Sequence, residues 1–199
     1  MDGPASSSDV AMPLSLADWA ALSEEQPGEL VDGRLVDEEV PSLEHEILVA
    51  WLVRMLGNWL AERSGFVFGS ETKFAVSPAR GRKPDLSAYL PGRVPRPARG
   101  AVEVPPDIVV EVVSPTPRDG RRDRVEKMTE YAAFGVRLYW IVEPALRTLE
   151  IYELGADGRY IHAVGAVEGV LDRIPDCDGL VLDLDAMWGE LDRLAADGG

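Results

Sequence analysis

The chain has 199 residues, 46% of them hydrophobic, and a formal net charge of −15. That length suits one domain with a sizeable core, and the acidity argues against a protein that holds nucleic acid by bulk electrostatics. The one cysteine, Cys177, excludes an internal disulfide and a Cys-based metal site, in keeping with a reducing, cytoplasmic setting; no apolar run is long enough to cross a membrane.

Residues 1–12 are small, polar and acidic, unlike a signal peptide, and are expected to form a disordered lead to a single domain over 13–196. Ser15 caps a short helix through Trp19, ended by Pro27-Gly28. Glu29-Leu-Val-Asp32-Gly33-Arg-Leu-Val36 reads as a hairpin, because Asp-Gly supplies the positive φ angles of a tight turn. Ser42 caps a long helix to about Arg63, with Leu48, Leu52, Met55, Leu56 and Trp59 on its core face. Phe66 to Val76 reads as a strand, Arg80 to Lys83 as a basic turn, and Asp85 to Leu90 as a further strand. Pro91 to Pro106 is a long surface loop.

Residues 107–143 read as strand, loop, helix, strand. The helix is expected over 119–135, and Tyr139-Trp-Ile-Val-Glu143 is the second strand, with Tyr139 and Trp140 as core rather than a base-stacking platform. Arg147 to Glu153 and Arg159 to Val164 form a hairpin. Gly179-Leu-Val-Leu is a short strand, and Asp183 or Asp185 caps a last helix ending near Leu194. The pattern predicts an α/β fold: a mixed central β-sheet flanked by helices.

The first strand of the 107–143 unit is almost continuously apolar, so both faces should be covered. Two acids interrupt it. A side-chain period of two puts Asp107, Val109, Glu111 and Val113 on one face. A carboxylate inside a covered strand needs a partner or a metal. Glu111 lies roughly 7 Å back from the strand end, and Lys127 roughly 12 Å along the next helix. If that helix packs over the sheet, Lys127 reaches Glu111.

Together with Asp85 on a neighbouring strand, these residues form a minimal apparatus for phosphodiester hydrolysis. Two carboxylates hold Mg²⁺, and a lysine positions or activates water, or neutralises phosphate charge. The bland alternative is a buried Glu111–Lys127 ion pair with Asp85 as a turn residue. The stretch from Arg80 to Lys127 carries eleven Lys and Arg against seven acids, so the rest of the chain is at −19. No phosphate-binding Gly-rich loop, zinc ligand pair or serine–histidine relay is present.

Lys83-Pro-Asp85, Pro106-Asp-Ile-Val-Val-Glu111-Val-Val-Ser-Pro115, Asp123-Arg-Val-Glu-Lys127, Tyr131, Gly135-Val and Tyr139-Trp-Ile-Val-Glu-Pro144 occur together. In this the chain resembles the bacterial family known as putative restriction endonucleases, assigned to the PD-(D/E)XK nuclease superfamily. The Glu29–Gly33 hairpin, His45 and the Gly-Leu-Val-Leu-Asp tail also match, so the resemblance covers nearly the whole chain.

The resemblance implies a restriction-endonuclease-like fold and a DNA endonuclease that uses Mg²⁺, with Mn²⁺ as a substitute. It makes Asp85 and Glu111 the metal ligands and Lys127 the catalytic lysine. The superfamily lysine follows the second acid by two residues, where this chain has Val113, so Lys127 stands in from the next helix. Glu46 or Glu44 is implied as an accessory acid. His45 matches a family position, and equally suits a hydrogen-bonded helix start. Asp107 is a further acceptor or extra ligand, and Asp123 pairs with Lys127 one turn away. Arg118, Arg121, Arg122 and Arg124 would approach the phosphate backbone, and a homodimer is expected by analogy. The competing reading keeps the fold as a catalytically weak or silent binding module, which the −15 charge favours; a third takes RNA as the substrate.

Overall fold

The computed structural model describes residues 13–23, 26–37, 40–96, 100–114 and 120–197. The expected lead over residues 1–12 and Arg118 lie outside them.

α1 (Leu16–Ala21) starts at Ser15, whose side chain forms a reciprocal capping box with Asp18. β1 (Glu29–Val31) and β2 (Arg34–Val36) form the expected hairpin. Asp32 (φ 49°) and Gly33 (φ 78°) supply its two left-handed turn residues. Ser42 caps α2 (Leu43–Ala61), accepting the His45 N–H at 3.2 Å. Leu48, Leu52, Leu56 and Trp59 recur at helical spacing and are buried.

The stretch 66–76, read above as one strand, is two. β3 (Phe66–Gly69) and β4 (Phe74–Ser77) belong to different sheets. The chain changes sheet across the polar residues 70–73, where the Lys73 ammonium donates to the carbonyls of Trp19 and Leu22 and so ties the crossing to the end of α1. The expected basic turn is also a strand, β5 (Arg80–Arg82), with Arg82 fully buried. β5 joins the hairpin and β4 in a four-stranded sheet ordered β2-β1-β5-β4.

The main sheet contains β3, β6 (Leu86–Tyr89), β7 (Ile108–Val112), β8 (Leu138–Glu143), β9 (Thr148–Leu154) and β10 (Tyr160–Ala166). Its order is β10-β9-β8-β7-β6-β3; β7 and β8 run parallel and the other pairs antiparallel. This is the expected mixed sheet. β7 is buried on both faces. Ile108, Val110 and Val112 join the larger core against α2, whereas Val109 and Val113 join a second core with Tyr131 and Tyr139. Glu111 lies on that second face.

The connection from β7 to β8 is helical from Gly120, with a π-helical segment over Arg122–Lys127 that runs into α3 (Met128–Phe134). Gly135 ends α3 in the left-handed conformation (φ 98°). β11 (Val170–Leu171) pairs with β12 (Leu182–Asp183), and α4 (Leu184–Asp197) follows. Of the two candidate caps, Asp183 does the capping: its Oδ1 accepts the Ala186 N–H at 2.9 Å, while Asp185 holds the Gly169 N–H.

Candidate active site

Asp85 and Glu111 are brought together by strand register. The antiparallel β6–β7 pair matches Leu86 with Val110, and one further step puts Asp85 opposite Glu111. The Val112 N–H donates to Asp85 Oδ2 at 2.6 Å, which holds the carboxylate against β7. Directly opposed like charges are unfavourable unless a cation is near, and here the cation comes from the π-helical segment. Lys127 Nζ stands 2.9 Å from Glu111 Oε2, the reach expected from helix packing. The Tyr131 hydroxyl donates to Glu111 Oε1 at 2.8 Å.

Burial pushes Glu111 well above the usual carboxylate range; Lys127 opposes this, and the carboxylates of Asp85, Asp123 and Glu29 add to it. Burial alone would lower the Lys127 pKa, but Glu111, Glu29 and Asp123 outweigh it and raise it, so Lys127 is an ammonium ion. Asp123 Oδ1 lies 3.4 Å from Lys127 Nζ, and burial raises its pKa despite that neighbour.

His45, in the first turn of α2, points Nε2 at Asp85 Oδ1 from 3.1 Å. Burial lowers its pKa, but the hydrogen bond and charge of Asp85 more than reverse this, with Glu46 adding to the rise. His45, Glu46, Asp85, Glu111, Arg122 and Lys127 all border one cleft of about 150 Å³. That is room for several waters.

Behind the cleft runs a buried polar chain that the sequence reading missed. Glu29 Oε1 accepts the Lys83 N–H at 3.0 Å and lies 3.7 Å from Lys127; its Oε2 is 2.6 Å from Arg82. Arg82 also grips Glu130 through Nε and Nη2, and Glu130 in turn meets Arg80. Burial would raise the Glu29 pKa, but Lys127, Arg82 and the Lys83 N–H together hold it below the ordinary value. Glu29 was visible as an acid within an apolar hairpin strand, a signal of the kind that singled out Glu111.

Two expectations are corrected. Asp107 sits at the far end of β7, where it accepts the Leu90 N–H at 2.8 Å and pairs with Arg93 at 2.7 Å. It lies four positions before Glu111, roughly 13 Å along a strand, so sharing a face does not make it a ligand there. Arg124 turns away from the cleft to pair with Glu143 and Glu150, because successive helical residues point in different directions. Arg121 is largely exposed, 3.9 Å from Glu126.

Asp85 and Glu111 offer hard oxygen donors that suit Mg²⁺ or Mn²⁺. Among the described residues each of their four oxygens has one hydrogen-bond or ion-pair partner, and a carboxylate oxygen with one partner has a lone pair to offer. Among the described residues no group of three or more His, Cys, Asp and Glu side chains could hold a metal ion. An ion held here would take its remaining ligands from water and substrate, as Mg²⁺ commonly does. On that chemistry the donor set fits.

The family model described as putative restriction endonuclease matches residues 15–184. The chain belongs to this family. A solved structure of a putative nuclease from Anabaena variabilis shares the family's fold with it: TM-score 0.68 and 18% identity over 90% of this chain and 99% of that one. The type IIG restriction endonuclease BpuSI overlaps 83% of this chain at 15% identity and TM-score 0.39, and the chain spans 19% of that enzyme. No curated protein sequence matches. The expected restriction-endonuclease-like α/β fold is the fold observed.

Proposed function

We propose that this family member is a metal-dependent endonuclease that hydrolyses phosphodiester bonds in DNA, using Mg²⁺ or, in its place, Mn²⁺. The observation that carries the reading is the register of Asp85 against Glu111, with the Lys127 ammonium 2.9 Å from the second acid. Asp85 and Glu111 would hold the ion, which when bound supplies Lewis acidity and an acidified water.

The chain's own residues do the rest. The Val112 N–H and His45 orient Asp85; Tyr131 and Lys127 orient Glu111. The carboxylates around Lys127 raise its pKa, which favours a cation that places water or offsets charge. Arg122 borders the cleft where a phosphate backbone would lie. The unit from 13 to 196 acts as one nuclease domain in the cytoplasm, and a homodimer would present two such clefts to the two strands. No helix of the described residues is long and apolar enough to cross a membrane.

The test is cleavage of supercoiled plasmid, with an RNA substrate in parallel, in Mg²⁺ and in Mn²⁺. Wild type is compared with Asp85→Asn and Lys127→Met. Nicking by wild type that Asp85→Asn loses supports the reading. RNA cut in preference to DNA would change the substrate. If wild type neither cuts nor binds either ion, the reading fails and the acidic binding module takes its place.

A further inference from the structure

Lys83 stands two residues before Asp85, in the short link between β5 and β6. Both border the same cleft as Glu111 and Lys127. Its backbone is held twice over. Pro84 restricts Lys83 to extended conformations, and its N–H is tied to the buried Glu29 at 3.0 Å. The next residue back, Arg82, is locked to Glu29 and Glu130. A buried lysine stem on so fixed a backbone is a pre-organised cation.

Its ammonium meets Glu71, at 3.1 Å from Oε2 and 3.2 Å from Oε1. Glu71 differs from Asp85, Glu111 and Asp123, the enclosed acids of the cleft. Its side chain is 67% exposed, against 4% for Glu111, and it sits in the crossing between β3 and β4 rather than in a strand or helix. An exposed carboxylate is hydrated once its cation leaves, so it gives up a partner at less cost than a buried one does. Lys127 is enclosed by three buried carboxylates, those of Glu111, Asp123 and Glu29. A phosphodiester entering the cleft meets the carboxylates of Asp85 and Glu111, and is offset by a cation that can give up an exposed partner.

We infer that Lys83 contacts the scissile phosphate of the substrate, and that Glu71 holds this lysine in the free protein and gives it up when a nucleic-acid phosphate arrives. Glu71 thus acts as a carboxylate stand-in for substrate, and lowers affinity for any polyanion that cannot displace it. The inference rests on the nuclease reading for the word scissile; the exchange of partners at Lys83 does not depend on cleavage.

The experiment measures binding of a labelled DNA duplex by anisotropy over a KCl series in Ca²⁺, and plasmid cleavage in Mg²⁺. It uses wild type, Glu71→Gln, Lys83→Gln, Lys83→Arg and the double variant Glu71→Gln/Lys83→Gln. Glu71→Gln is expected to tighten binding several-fold. Lys83→Gln weakens it about tenfold and lowers the salt slope by about 0.9, one phosphate contact; Lys83→Arg keeps the slope. In the double variant the gain from Glu71→Gln disappears, which a general charge effect would not produce.

An unchanged slope in Lys83→Gln, or an equal Glu71→Gln gain with and without Lys83, overturns the inference. If Lys83→Gln does not fold, exposed Glu71 still decides, since an affinity unaltered in Glu71→Gln also overturns it. Binding that follows this pattern without any cleavage sinks the nuclease reading alone. Cleavage that is insensitive to Lys83 sinks this inference alone, and neither binding nor cleavage by wild type sinks both.

Discussion

Lys127 Nζ lies 2.9 Å from Glu111 Oε2, and neither side chain is more than 4% exposed. A carboxylate interrupting an apolar strand and a lysine from the following helix therefore form one buried unit. The pair joins the candidate metal site to the interior chain of Glu29, Arg82 and Glu130.

Removing one partner leaves the other charged and desolvated. Lys127→Met should destabilise the protein by about 3–5 kcal/mol, whereas adding Glu111→Gln in the same chain should restore part of that loss, Glu29 and Asp123 still lacking their cation. Urea unfolding of the two single variants and the double variant measures this. Equal destabilisation by Lys127→Met with and without Glu111→Gln would show that the pair is not the cause.

Glu29 has a folded-state pKa below its ordinary 4.5. Its contribution to stability is complete above that value and is lost as pH falls through the lowered one, because the unfolded chain takes up the proton first. Glu111 and Asp123 are shifted upward, so their contribution has the opposite sign: present at low pH, and lost as pH rises through their folded values. The difference between wild type and Glu29→Gln isolates Glu29. Between about pH 5 and pH 3 the melting temperature of wild type should fall more steeply than that of the variant.

Metal binding can be read without catalysis. An ion that binds only the folded protein stabilises it by about 2.7 kcal/mol at a hundred times its Kd. Mg²⁺ should therefore raise the melting temperature of wild type, and EDTA should return it. Asp85→Asn should lose the shift. Tyr131→Phe, which removes the hydrogen bond that orients Glu111, should keep the shift but need about 10–100-fold more metal to reach it.

Gly81 tests the scaffold behind Arg82. A Cβ there would lie 2.2 Å from Cζ3 of the fully buried Trp19, whose Nε1 is held by the Gly28 carbonyl at 2.9 Å. The ring cannot move aside without breaking that bond. Gly81→Ala should cost about 1–3 kcal/mol or more, seen as a lower urea midpoint with an unchanged slope.

Local periodicity was enough to read much of the frame. The Asp-Gly hairpin, the Ser42-capped helix and the strand–helix–strand unit each follow from contacts within a few residues. The same logic singled out Glu111, because an acid in an apolar strand is conspicuous wherever the strand ends up, and with it Asp107, which the fold places elsewhere. It also placed Lys127, since a helix packed on its own preceding strand offers few directions for a long side chain.

Other features depended on partners far away in the chain. The stretch 66–76 has the composition of one strand, and only the anchoring of Lys73 on the end of α1 shows where it crosses between sheets. Arg82 looked like a surface cation, yet Glu29 and Glu130, some fifty residues away on either side, make it a buried one. Arg124 looked like its neighbours and is neutralised by Glu143 and Glu150.

The order of strands and helices, and the acids that disturb them, were thus carried by the sequence alone, because hydrophobic period is a short-range property. Which charges neutralise one another, and which remain for a ligand, was decided only by tertiary packing. Coulomb energy depends on separation and burial, and neither is set by neighbours in the chain.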